Sequence, residues 1–169
     1  MGKKSVIIGL FGLILLLAGC ERHSEAEVRA QLTRWFALGE TVYFKTTYDC
    51  TAAMFKVQTD QMKSALQPNS DAGTALFQYG RSGMMVLANP TQKPNDGFLE
   101  LMNMDRPIGI AMQAASVLGK KCMDENMESA FFYAMQNPKA TMVFSREDMS
   151  MVLMDPGTRL VIFASGGAE

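Results

Sequence analysis

Histidine is almost absent from this chain of 169 residues: there is one, His23. It lies close to the N-terminus, ahead of the first periodic segment, so it is expected outside the folded domain. Ser-His-Asp and Cys-His catalysis, histidine-ligated zinc and imidazole acid/base steps then all lack their central residue. Cysteine is scarce as well, with three residues at 20, 50 and 122. Neither Cys50 nor Cys122 has a second Cys or a His at ligand spacing, which argues against a metal pair. The G-x-S-x-G, S-x-x-K, C-x-x-C, P-loop and G-x-G-x-x-G patterns are all missing. These absences predict a domain without enzyme activity and without a cofactor. Clustered positive charge is also lacking. Beyond position 20 the basic residues are scattered, with only Lys120 and Lys121 adjacent, so nucleic acid is not expected as a partner.

The one long apolar run, Val6 to Ala18, is shorter than the roughly 18 to 20 residues that a helix needs to cross the hydrocarbon of a bilayer. Lys3 and Lys4 precede it, and the small residues Ala18 and Gly19 follow its core, as in an export signal. The sequence Leu17-Ala18-Gly19-Cys20 at its end resembles the lipobox of bacterial lipoproteins. The resemblance covers residues 1–20 only. It implies removal of residues 1–19, lipidation of Cys20, and a lipid-anchored protein of the cell envelope. Several acyl chains on one residue take binding past the marginal hold of a single chain. In lipoproteins of the enteric type an Asp after the cysteine favours inner-membrane retention; Glu21 stands there in this chain, so the resemblance implies the outer membrane facing the periplasm in preference to the inner membrane. Residues 20–24 are read as a lipidated tether and residues 25–169 as a single domain.

Loss of residues 1–19 would remove two lysines from the 16 basic residues and none of the 17 acidic ones, taking the formal net charge from -1 to -3. About 150 residues suffice for one hydrophobic core. In an oxidising compartment Cys50 and Cys122 are expected to pair as a disulfide.

Ser24 and Glu27 form an S-x-x-E capping box that starts a helix with Val28, Leu32, Trp35 and Phe36 on one stripe. Gly39 is expected to end it through a left-handed turn. Residues 41–48 read as a strand, with Tyr43, Lys45 and Thr47 on its less apolar face as either a ligand surface or a solvated one. Ala53, Phe55 and Val57 favour a second strand, although Asp49 could equally cap a helix. Residues 76–87 are apolar but interrupted by Gly80 and Gly83, residues 89–97 read as a loop, and 98–104 as a short helix.

Ile108, Ala111, Ala115, Leu118 and Cys122 mark a helix begun by Asp105, Arg106 and Pro107, with Lys120 and Lys121 in its last turn. Another runs from Asp124 with Met127, Ala130, Phe131, Ala134 and Met135 inward. Asp124, Glu125 and Glu128 are better explained as its cap and first-turn charges than as catalytic carboxylates. Residues 141–145, 149–154 and 159–165 then read as a three-stranded meander, its last turn made by Asp155-Pro156-Gly157-Thr158. The expected class is α+β, an antiparallel sheet of an N-terminal strand or hairpin and a C-terminal meander, packed by the intervening helices.

The leading functional expectation is a non-enzymatic binding module, tethered to the membrane and engaging another envelope protein. The alternative is a periplasmic carrier of a small ligand or of Cu(I), with Met149, Met151 and Met154 as candidate thioether ligands. Met102 and Met104 belong to the same reading. Against copper, most methionines fall on apolar stripes and strands, where the flexible side chain fills gaps.

Overall fold

The structure is a computed structural model that describes residues 22–167. Among them are helices α1 (Glu25–Thr33), α2 (Ala72–Ser82), α3 (Pro94–Met104), α4 (Arg106–Gly119) and α5 (Glu125–Gln136). The strands are β1 (Leu38–Thr46), β2 (Cys50–Val57), β3 (Met84–Leu87), β4 (Thr141–Ser145), β5 (Ser150–Asp155) and β6 (Leu160–Gly166). All six strands form one antiparallel sheet in the order β1-β2-β6-β5-β4-β3. The chain is thus a single α+β domain of the expected class. Its N-terminal hairpin and C-terminal meander join because β6 pairs with β2, from Cys50 opposite Gly166 to Lys56 opposite Leu160.

The central strands are apolar on both sides, and both sides are covered. Met54, Met142, Phe144, Met151, Leu153 and Ile162 face α2 to α5. Phe55, Val143, Val152, Met154, Val161 and Phe163 face the opposite way, onto Val28 and Leu32 of α1, Trp35, Phe36 and Leu66. A sheet buried twice over reads as continuous apolar runs rather than as alternation, which is the pattern of Met142-Val143-Phe144 and Met151-Val152-Leu153-Met154.

Local chemistry accounts for the element ends. The Ser24–Glu27 capping box forms in full, and Asp105 and Asp124 accept from the amides of Ile108 and Met127 at the starts of α4 and α5. Gly83 takes φ +73° and closes α2, its N–H donating to the Tyr79 carbonyl. The edge strand β3 is shielded by Asn69, whose N–H donates to the Val86 carbonyl and whose own carbonyl accepts from Ala88.

Several expectations are corrected. Gly39 does not terminate α1, which ends at Thr33; it lies within β1, hydrogen-bonded through its carbonyl to the Arg29 guanidinium. The Pro94-Asn95-Asp96-Gly97 segment is the first turn of α3 with Pro94 at its start, not a loop. The favoured second strand, by contrast, does form, over Cys50–Val57, so Asp49 caps no helix.

The buried edge of α4 runs through Gly109, Met112, Ala115 and Gly119, leaving Ile108, Ala111 and Leu118 half-buried. Glycine decides that register: a Cβ on Gly109 would come within 2.6 Å of Met102 Cα, and one on Gly119 within 3.0 Å of Ala164 Cβ. Lys120 and Lys121 fall in the 3-10 turn Lys120–Cys122 that follows α4, rather than in its last helical turn.

At Gly166 an added Cβ would meet Leu118 Cβ at 2.5 Å and the Gly119 nitrogen at 2.6 Å, whereas Gly80 has nothing within 4 Å. Gly166→Ala is therefore expected to destabilise by about 1–3 kcal/mol through overpacking. Gly80→Ala, inside α2, should stabilise by about 0.5–1 kcal/mol. Urea-unfolding midpoints of the two variants check this, and midpoints shifted in the same direction would contradict it.

Candidate functional site

One end of the sheet gathers most of the polar chemistry, and the chain enters there. The Arg22 N–H donates to the Thr47 carbonyl at 3.0 Å. Its Nε donates to Ser165 Oγ and its Nη1 to the Gly167 carbonyl, each at 2.9 Å. Three bonds from one residue pin the entry of the chain to the C-terminal ends of β1 and β6.

His23 therefore does not lie outside the fold. Its ring packs edge-on against Phe163 with centroids 5.9 Å apart, and Nε2 is 3.5 Å from Ser165 Oγ. Burial pushes its pKa below the ordinary value; the Asp148 carboxylate opposes that shift, Arg22 adds to it and Glu27 opposes it.

The proximity of a serine, a histidine and an aspartate here does not make a nucleophile. Ser165 Oγ donates its proton to the Asp148 backbone carbonyl at 2.8 Å and accepts from Arg22 Nε. The Asp148 carboxylate accepts instead from Ser150 Oγ at 2.8 Å through Oδ1, and its buried Oδ2 has no partner. With the hydroxyl proton held by a carbonyl, no base draws it away, so the cluster works as a dock for the entering chain.

Next to this dock Cys50 and Cys122 form the expected disulfide, with Cα atoms 5.9 Å apart. It staples the start of β2 to the turn after α4, closing a separation of 72 residues. Loop closure of that length contributes about 4 kcal/mol in the chain-entropy account, less any native strain.

Tyr43 and Thr47 are taken up in holding this staple rather than in presenting a ligand surface. The Tyr43 hydroxyl donates to the Cys122 carbonyl at 2.6 Å, and burial raises its pKa. Thr47 Oγ1 lies 3.3 Å from Cys50 Sγ and donates to Asp49 Oδ1 at 2.6 Å. That bond, with help from Lys121 at 3.4 Å, holds Asp49 below the usual carboxylate range. Lys45 alone of the three stays exposed.

The methionines considered for copper do not converge. Met149 and Met151 pack on the face covered by α2 to α5, and Met154 packs on the face covered by α1. No group of three or more His, Cys, Asp or Glu that could hold a metal occurs among the described residues.

Two surface features went unnoticed in the sequence. Between α4 and α5 is a small groove of about 130 Å³ lined by Val117, Lys120, Met123, Phe131 and Phe132. Val117 and Phe132 are both more than half exposed. Lys120 Nζ lies 5.3 Å from the centre of the Phe132 ring and pairs with Glu128 at 3.0 Å. The available signal was the set of apolar residues, Val117, Phe132 and Tyr133, that fall off the buried stripes.

The second feature is a more polar cleft of about 400 Å³ between the end of α1 and the β4–β5 turn, lined among others by Arg34, Trp35 and Arg146. Trp35 is core there, as expected, with 5% of its surface exposed. Comparison with known proteins gives no match to a family model, a curated protein or a solved structure.

Because folding favours the neutral form of His23, its contribution to stability is full above the unfolded pKa near 6.5 and is lost as pH falls from there through the lowered folded value. Between about pH 7.5 and about pH 5.5 the wild type should lose stability relative to His23→Gln, whose own profile lacks this component. Parallel urea-midpoint profiles for the two proteins would contradict the assignment.

Proposed function

We propose that this protein is a lipid-anchored binding module of the cell envelope, held by Cys20 and engaging a neighbouring envelope protein through the apolar groove between α4 and α5. The observation that carries the reading is the Leu17-Ala18-Gly19-Cys20 sequence after its lysine-led apolar run. Two features of the domain support it. The disulfide suits an oxidising compartment. The groove offers aromatic and aliphatic side chains rimmed by an ion pair, the composition that protein interfaces favour at their centres.

Anchoring supplies the rest, because a module confined to the membrane meets partners on that membrane at high effective concentration, so weak contacts suffice. The copper alternative is not carried forward, since Met154 stands across the sheet from Met149 and Met151.

Affinity purification with crosslinking from detergent-solubilised envelopes tests the module. A specific partner protein should be captured by the wild type and lost with Phe132→Asp, which places a charge in the groove without touching the core. Cys20→Ser should in parallel move the protein from the membrane to the soluble fraction. Recovery of the bait alone, or a partner indifferent to Phe132→Asp, would overturn the reading.

A further inference from the structure

The place where the chain enters the fold restricts how an anchored domain meets its membrane. We propose that the domain rests on the bilayer by the end of the sheet that bears the β1–β2 turn, with Tyr48 in contact with the lipid headgroups. The inference rests on the anchor reading of Cys20 and deepens it by naming the surface that faces lipid.

Two peptide units separate Cys20 from Arg22, so the two Cα atoms stand at most about 7 Å apart. Arg22 is not free to extend that reach, because Thr47, Ser165 and Gly167 hold its backbone and both sides of its guanidinium. A lipid on Cys20 consequently brings this end of the sheet to the membrane surface and points the β5–β6 turn away.

The surface at that end suits the position. Tyr48 follows the very residue whose carbonyl takes the Arg22 amide, and at 79% exposure it is the most exposed large hydrophobic side chain among the described residues. A phenol combines an apolar ring with a polar tip, the character that settles at the headgroup level of bilayers. Asp49, the next residue, is paired with Lys121, so that pair adds no net charge beside the tyrosine. The contact therefore depends on the tyrosine and the short tether, not on anionic lipid.

The test uses the full-length lipidated protein in phosphatidylethanolamine/phosphatidylglycerol vesicles doped with phosphatidylcholine brominated near the top of its acyl chains. Tyr48→Trp is compared with Lys139→Trp, an exposed position at the opposite end, just before β4. The native Trp35 is buried and forms a common background. Quenching several-fold stronger at position 48 than at position 139 is expected. Equal quenching, or none at position 48 while the protein stays with the vesicles, would overturn the proposed orientation and leave the anchor intact, a result that would suit a protein partner on this end. Protein absent from the vesicles, with Cys20 unmodified by mass spectrometry, would remove the anchor reading and this inference with it.

Discussion

The sheet is apolar on both faces, and that constraint sets the rest of the structure. Phe144, Met151 and Leu153 on one side and Phe55, Val152 and Phe163 on the other are fully buried, and each such side chain contributes about 1.5–3 kcal/mol when it leaves water. Neither face can be left open. The larger layer, α2 to α5, comes from the long insertion between β2 and β4. Among the described residues the other face is covered by α1, Trp35, Phe36, the segment that brings in Leu66, and His23 against Phe163. The beginning of the described chain is thus core material, and the residues just before α1 are drawn onto the sheet with it.

That requirement links packing to function. Once α1 must lie on the sheet, Arg22 and His23 must cross its end, where the open carbonyls of Thr47 and Gly167 and the Ser165 hydroxyl receive them. The same end carries the disulfide, which ties the sheet to the turn after α4 and holds the α4–α5 groove in register with it. In the function proposed above, the anchor leads to the staple and the staple to the groove that meets the partner.

Much of this fold was legible in the sequence. Ser24, Asp105 and Asp124 announced three helix starts because capping is a local event, decided by a side chain and an amide three residues on. The cysteine pair followed from arithmetic and from the expectation of an oxidising compartment. The features that were not legible are tertiary. Gly109 and Gly119 carry no hydropathy signal, yet their lack of a Cβ lets α4 approach Met102 and Ala164, which turns the helix away from the stripe its larger residues suggested. Strand β3 is four residues long and becomes visible only against β4. His23 has no periodic neighbours, and only the receiving atoms of β6 draw it in. Of the candidate site, Cys50 and Cys122 were readable, whereas the groove depends on how two helices abut.

The segment just before α1 is an integral part of the domain rather than a loose leash. Amide hydrogen exchange read residue by residue tests it most directly, because the Arg22 N–H donates to Thr47 and the Leu32 amide lies in a helix packed on the sheet. Protection at Arg22 well above that of a free chain, together with protection of α1 comparable to β6, is the predicted result. Exchange at Arg22 and through α1 at the rate of an unstructured peptide, with β6 still protected, would contradict it.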